Sequence, residues 1–315
     1  MHTKPLGHSD LNFSTLGLGT WAQGGSHWGY GWGPQDDRDS IRTIGAAMDA
    51  GINWIDTAAV YGFGHAEEVL GRALKELPEK PLIATKCGRV KGTKRIVEGN
   101  LAPEHIRQEC DDSLRRLGIE VIDLYQIHWP DPEEDIEEGW ATIADLVQAG
   151  KVRYAGVSNF NVSQMQRIQA IHPITSLQPP YSLLKRDIEN EILPYCLEQG
   201  IGVIPYSPMQ KGLLTGKITR ERIAQFPEND HRSRDPMFQE PALSQVLDWI
   251  EKWQHIADHE QITLAQLALS WVLSHPAVTS AIVGGRTPEQ IRETAKSMTI
   301  QLKEETLQAI RSIVH

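Results

Sequence analysis

Four ionisable residues of different kinds fall at or just after short apolar runs. Asp56 and Tyr61 lie in "INWIDTAAVYGFGHAEEVLG" (residues 52–71), Lys86 ends "PLIATK" and His128 ends "VIDLYQIH". An acid, a phenol, an ammonium and an imidazole brought to one place form a proton-transfer device for a carbonyl oxygen. With a reference pKa near 10, a tyrosine is a poor partner at neutral pH unless its phenolate is stabilised. An ammonium about 4 Å away, at an effective dielectric of about 20, contributes roughly 4 kcal/mol, or about three pK units. That figure is an upper bound, because an acid holding the ammonium neutralises part of its field. The expected division of labour is that Asp56 positions Lys86, Lys86 brings Tyr61 towards neutrality, Tyr61 moves the proton, and a neutral His128 orients the carbonyl. A proton is half of a carbonyl reduction, and the hydride must come from a cofactor.

The elements that must gather these residues alternate along the chain. After "KPLGHSDLNFSTLGLGT", whose first half reads as a hairpin, the strand candidates are "TLGLGT", "INWID", "PLIATK", "VIDLYQIH", "VRYAGVS", "ITSLQ", "GVIPYS" and "TSAIVGG". Most are near-continuous apolar runs, as strands of a covered parallel sheet should be. Between them the period lengthens to that of a helix. In "APEHIRQECDDSLRRLG" the residues Ile106, Cys110, Leu114 and Leu117 share a face, with Pro103 near the start and Gly118 as a stop. "DIEEGWATIADLVQAGK" and "TPEQIRETAKSM" repeat the design. Eight strand-then-helix units close most economically into a (β/α)8 TIM barrel of class α/β, here one domain over residues 1–315 with an N-terminal hairpin. A doubly wound sheet is the competitor, but "GLGLGT" completes no G-x-G-x-x-G. In a barrel the active site lies at the carboxyl ends of the strands, where all four residues fall.

Composition narrows the function classes. A net charge of -10 over 315 residues, with no basic stripe, argues against nucleic acid and against an anionic membrane surface. No segment reaches the roughly 20 apolar residues that span a bilayer, and "MHTKPLGHSD" lacks a signal-peptide run, so a soluble cytoplasmic protein is expected. Cys87, Cys110 and Cys196 are widely spaced and suit a reducing compartment. His255 and His259 stand i, i+4 without H-E-x-x-H or a third ligand, so no metal is expected.

Asp56, Tyr61, Lys86 and His128, with "GINWIDTAAVYG", "ATK", "DLYQIHWPDP", "VRYAGVSNF", "PYSPMQKGLLTGK" and "VGGRTPEQI" in order, resemble the aldo-keto reductases, nearest the bacterial branch that includes the potassium-channel beta subunits. The resemblance spans the whole chain and implies a metal-free barrel that moves hydride between NADPH/NADP+ and an aldehyde, ketone or alcohol. It implies Tyr61 as general acid, supported by Lys86, Asp56 and His128. For the cofactor it implies Gly19, Thr20 and Trp21 in "LGLGTW", Ser158, Asn159 and Gln178 on the nicotinamide carboxamide, and Tyr206 stacked on that ring. Ser207, Pro208, Met209, Gly212 and Lys217 would meet the pyrophosphate and ribose, and Gly284, Arg286, Gln290, Glu293 and Thr294 the adenosine end. Arg286, a guanidinium at a helix start, would pair with a 2'-phosphate and favour NADPH over NADH. Thr294 stands where many relatives have an Asn. Arg232 and Arg234 in "DHRSRDP" either clamp the cofactor from a mobile segment or form a solvated charge run.

The loop "TWAQGGSHWGYGWGPQDD" carries Trp21, Trp28, Tyr30 and Trp32, and Trp129 follows His128. Such aromatics can wall a pocket for a small carbonyl or sugar-like polyol. Two rival readings are a Schiff-base aldolase using Lys86 and a slow-turnover NADPH-binding redox sensor or regulatory subunit.

Overall fold

A computed structural model describes residues 3–26, 28–93, 97–227 and 230–314. It opens with an antiparallel hairpin of β1 (Thr3–Pro5) and β2 (Asn12–Ser14). Barrel strands β3 (Leu16–Gly19), β4 (Trp54–Asp56) and β5 (Leu82–Cys87) follow, then a small hairpin of β6 (Arg89–Lys91) and β7 (Val97–Gly99). The barrel continues with β8 (Ile122–Ile127), β9 (Val152–Ser158), β10 (Ser176–Gln178), β11 (Gly202–Val203) and β12 (Ala281–Gly284).

Among the described residues the sheet has eight strands, all paired in parallel, in the order β11, β10, β9, β8, β5, β4, β3, β12. Its two ends meet. The Val203 carbonyl accepts from the Thr279 amide at 2.9 Å and the Pro205 carbonyl from the Ile282 amide at 2.9 Å, which closes the ring. The expected (β/α)8 barrel is therefore the observed fold.

Helices α1 (Asp37–Asp49), α2 (His65–Glu76), α3 (Pro103–Leu117), α4 (Ile136–Gln148), α5 (Val162–Gln169) and α6 (Ile192–Gln199) each follow a barrel strand. The stretch after β11 is longer, holding α7 (Arg220–Ala224), α8 (Ala242–His259) and α9 (Leu264–Ser274), and after β12 come α10 (Pro288–Ala295) and α11 (Glu304–Arg311). The predicted stops hold for a local reason: Gly118 ends α3 in the left-handed region at φ 67°. "GVIPYS" pairs as a strand only over its first two residues, because Pro205 has no N–H to give the ladder.

Strand alternation sorts the side chains into layers. Ile55, Ile83, Tyr125, Ile127, Val157 and Leu177 point outward and join the core shared with the helices. Trp54, Ala84, Leu124, Ile204 and Ile282 join the hairpin's Leu6, Leu11 and Phe13 in a second cluster, with Phe13 stacked on Trp54 at 4.3 Å. The hairpin thus plugs the amino end of the barrel. Two residues further along three of those strands come Asp56, Lys86 and Gln126, so the same inward face turns polar towards the carboxyl end.

Candidate active site

The register of β4, β5 and β8 brings the four predicted residues together. Lys86 Nζ is buried and donates to both Asp56 oxygens at 2.7 and 2.8 Å, to the Thr57 carbonyl at 2.9 Å and to Tyr61 OH at 3.2 Å. The His128 ring lies edge-on to Tyr61, centroids 5.8 Å apart. The Thr20 amide and hydroxyl both donate to the Asp56 carbonyl, so Thr20 secures the acid's backbone. Gln178 Nε2 donates to Asp56 Oδ1 at 2.8 Å. That commits one end of an amide expected on the nicotinamide, and leaves its Oε1 as acceptor. Tyr61 rides on a loop that lies against the loop after β3. A Cβ on Gly24 would meet the Gly62 nitrogen at 2.8 Å, and one on Gly62 the Gly24 carbonyl at 2.3 Å, so the two backbones touch directly.

The electrostatics correct one expectation. Lys86 does not draw Tyr61 towards neutrality: burial, then the charge of Asp56, then Tyr206 push the phenol well above its ordinary value. Burial is the largest cause, and Lys86, bonded twice to Asp56, has its field at the phenol opposed by that carboxylate. Burial lowers the Lys86 pKa itself, with Asp56 pulling the other way. His128 is held neutral, its pKa driven well below the usual histidine range by burial and then by Lys86 and Arg89. The tetrad at neutral pH is therefore an ion pair beside an intact phenol and a neutral imidazole.

A pH profile follows with its sign. With the Tyr61 pKa raised above the ordinary phenol value and that of His128 lowered below the ordinary imidazole value, kcat for carbonyl reduction at saturating nucleotide should show no fall on the acid side at the histidine pKa of about 6.5. The first fall should be alkaline, as Lys86 loses its proton. An acid limb at the ordinary histidine pKa would contradict this arrangement.

The predicted cofactor residues lie at or after the carboxyl ends of β3, β9, β10, β11 and β12. Gly19 ends β3 beside Thr20. Asn159, at φ 64°, donates from Nδ2 to the His128 carbonyl and to Ser158 Oγ, both at 3.0 Å, and accepts from Tyr206 OH at 2.9 Å. Ser158 Oγ donates to the Gln178 carbonyl at 2.8 Å. After β11, Ser207 at φ 54° and Pro208 lead into Met209, and Gln210, Lys211 and Gly212 all have positive φ. Lys217 and Glu293 face each other at 3.4 Å, and Gln290 Oε1 accepts from the Arg286 amide at 2.9 Å.

Gly284 bears on the fit of a bound group. It has no positive φ, and a Cβ built on it would meet nothing within 4 Å. The protein's own packing does not require a glycine there, and the open space would admit close approach by a bound group. The residues present fit such a cofactor.

Four expectations change. Thr294 is buried, and its hydroxyl donates back to the Gln290 and Ile291 carbonyls, so it does not reach outward as an adenine contact. Arg232 is no solvated charge: Asp230 holds it at 2.7 Å and it lies over the Phe226 and Trp32 rings, while Arg234 is exposed. Arg286 is engaged by the loop after β3, donating to Gln35 Oε1, the Trp32 carbonyl and the Pro34 carbonyl. The aromatic wall divides: Trp21, Trp28 and Tyr30 cluster at Tyr61, Trp32 stacks on His231, and Trp129 is 43 % exposed. Among the described residues no three His, Cys, Asp or Glu side chains gather to hold a metal, and no helix is long and apolar enough to cross a membrane.

Sequence reasoning missed Gln126, Gln35 and His231. Gln126 was accessible by alternation, two residues before His128 on one strand, whereas the other two acquire meaning only through distant contacts.

Comparison with known proteins agrees with this geometry. The profile described as the Aldo/keto reductase family matches residues 15–315. The chain is 37% identical to aldo-keto reductase YhdN of Bacillus subtilis (strain 168), covering 100% of this chain and 94% of the relative. It is 39% identical to the NADH-specific methylglyoxal reductase of Escherichia coli (strain K12), covering 96% and 95%. Among solved structures, glycerol dehydrogenase AKR11B4 from Gluconobacter oxydans superposes with a TM-score of 0.90 at 41% identity, covering 99% of this chain and 94% of that one. The holo form of aldo-keto reductase AKR11C1 from Bacillus halodurans gives 0.83 at 26% identity, covering 100% and 97%. The chain belongs to the aldo/keto reductase family, whose members are oxidoreductases of carbonyl substrates that use a nicotinamide cofactor.

Proposed function

We propose that this protein reduces small oxygen-bearing aldehydes and ketones, with Tyr61 as the general acid. The observation that carries the reading is the 3.2 Å contact from Lys86 Nζ to the Tyr61 hydroxyl, with Lys86 itself paired to Asp56. A reduced nicotinamide, when bound, supplies the hydride to the carbonyl carbon. Tyr61 gives its proton to the carbonyl oxygen, and Lys86 is already placed to donate to the phenolate that this leaves. The stabilisation is therefore greatest in the transition state, where it accelerates the step. Neutral His128 donates to the same oxygen and holds it against the phenol.

Ser158, Asn159, Gln178 and Tyr206 would hold the nicotinamide. Ser207, Pro208, Met209, Gly212 and Lys217 would hold the pyrophosphate and ribose, and Gly284, Gln290 and Glu293 the adenosine. NADPH, the expectation set by Arg286, stays in the reading, with NADH accepted beside it. The support for NADH is that the loop contacts of Arg286 occupy three of its donors, and that one relative is named NADH-specific.

Two relatives are named for methylglyoxal and for glycerol, which are three-carbon compounds with oxygens on adjacent carbons. Trp21, packed beside Tyr61 with centroids 5.1 Å apart, would wall one side of the substrate at the phenol. Trp21→Ala is expected to raise KM for 2-oxoaldehydes and hydroxyaldehydes about tenfold or more, a loss of one buried aromatic contact, while KM for the nucleotide changes little. Unchanged KM for every carbonyl turned over would sink the assignment of Trp21 to the pocket. The buried free thiols Cys87, Cys110 and Cys196 are the support for a cytoplasmic setting.

The aldolase reading loses its main attraction in this geometry. Lys86 has the lowered pKa that a Schiff-base lysine needs, but its nitrogen is enclosed by four oxygen contacts.

A further inference from the structure

Arg286 stands between β12 and the N-cap of α10, more than 250 positions from the residues it holds. Its Nε donates to Gln35 Oε1 at 2.7 Å, and Gln35 Nε2 returns a bond to the Arg286 carbonyl at 3.1 Å. One terminal nitrogen donates to the Trp32 carbonyl at 3.1 Å and the other to the Pro34 carbonyl. Three of the five guanidinium donors therefore close on one short stretch of loop.

The other side of that stretch is also gripped. The Trp32 ring is stacked on His231, centroids 6.0 Å apart and 15° from parallel, and the Arg232 guanidinium lies 5.2 Å from the Trp32 ring centre. The same loop begins with Trp21, which packs on Tyr61 at 5.1 Å and on His231 at 5.9 Å. A continuous line of contacts thus runs from the Arg286 latch through Trp32 and His231 to Trp21 and the catalytic phenol. Nearby cations at this end of the cleft are already matched with carboxylates: Arg232 with Asp230, Lys211 with Asp235 and Lys217 with Glu293.

We propose that Arg286 is a positioning residue, the latch of the β3–α1 loop. The inference rests on the nicotinamide-dependent reductase reading above and adds to it how the aromatic wall of the substrate pocket is held.

The test uses Arg286→Ala, Arg286→Lys and Gln35→Ala, assayed with each nucleotide against methylglyoxal. A latch predicts that Arg286→Ala lowers kcat/KM with NADH and with NADPH by a similar factor, roughly ten- to hundredfold as expected for misplaced pocket groups. KM for methylglyoxal should rise, Gln35→Ala should change both in the same direction, and lysine should not rescue, because it keeps the charge and loses the fork. A loss confined to NADPH and restored by lysine would overturn the proposal, as would an unchanged KM for methylglyoxal. Gln35→Ala carries the test where Arg286→Ala does not fold. Chymotrypsin provides a readout independent of turnover: cleavage after Trp28, Tyr30 or Trp32 should be faster in Arg286→Ala and Gln35→Ala, and equal rates would overturn the latch. Wild-type protein inactive with both nucleotides would instead sink the reductase reading, with the proteolysis still deciding the latch.

Discussion

Tyr61→Phe is expected to lower kcat for carbonyl reduction by about 10²- to 10⁴-fold, the usual contribution of one positioned acid. Nucleotide affinity should stay within about twofold of wild type, because the change removes one oxygen and keeps the ring that packs on Trp21 and Trp28. Stability should change little. The hydroxyl accepts a single bond from Lys86, whose nitrogen keeps its three other acceptors. Steady-state rates paired with fluorescence titration of the nucleotide separate the two quantities. A phenylalanine variant that keeps more than a tenth of the wild-type kcat would mean that another group delivers the proton, and His128 would be the next candidate.

The second large effect falls on stability as well as rate. Lys86→Met leaves Asp56 buried with one remaining side-chain donor, Gln178. Removing one partner of a buried ion pair typically costs about 3–5 kcal/mol, and urea unfolding should register a loss of that order. The double variant Asp56→Asn/Lys86→Met carries no orphaned charge and should recover much of the stability. It should recover none of the activity, because the phenolate left on Tyr61 would still lack its donor. If the double variant regained activity, the pair would be structural and the role of Lys86 as donor to the Tyr61 phenolate would be wrong. If Lys86→Met unfolded no more easily than wild type, water would have to reach Asp56 despite its burial.

The barrel was legible because its strands are short apolar runs punctuated by glycine and proline, and because an inward polar residue closes several of them. Asp56, Lys86 and His128 could be placed at one rim from strand ends alone. Their distances confirm that placement, since parallel register leaves little freedom once neighbouring strands are identified. The β6–β7 hairpin was not legible, being two polar three-residue strands without an apolar face. The sense of the Tyr61 shift was also missed. A pairwise Coulomb argument counts the ammonium and undercounts both the burial of the phenol and the acid that holds the ammonium.

The ends of the cleft show where local reading stops. "VGGRTPEQI" pointed to Arg286 as a phosphate receptor, and nothing near it in sequence indicates that Trp32, Pro34 and Gln35 supply its acceptors. "DHRSRDP" read equally as clamp or solvated run until Asp230, Phe226 and Trp32 appeared around Arg232. Thr294 was counted at the adenosine end although it departs from the Asn of many relatives, and a threonine within a helix can bond its hydroxyl back to a preceding carbonyl, as it does here. For Arg286 and Arg232 the deciding partners include groups whose position depends on the folded loops, whereas for Thr294 they are carbonyls of its own helix.

The central claim is that one mouth of this barrel couples a bound nicotinamide to protonation by Tyr61. The most direct measurement is a single-turnover experiment: protein preloaded with NADPH or NADH is mixed with methylglyoxal, and loss of the reduced nicotinamide signal is followed alongside product. The account predicts stoichiometric oxidation and one equivalent of alcohol with either nucleotide, slowed by the Tyr61→Phe change. Tight nucleotide binding without oxidation by methylglyoxal or any other small carbonyl would contradict it and favour a redox-sensing protein.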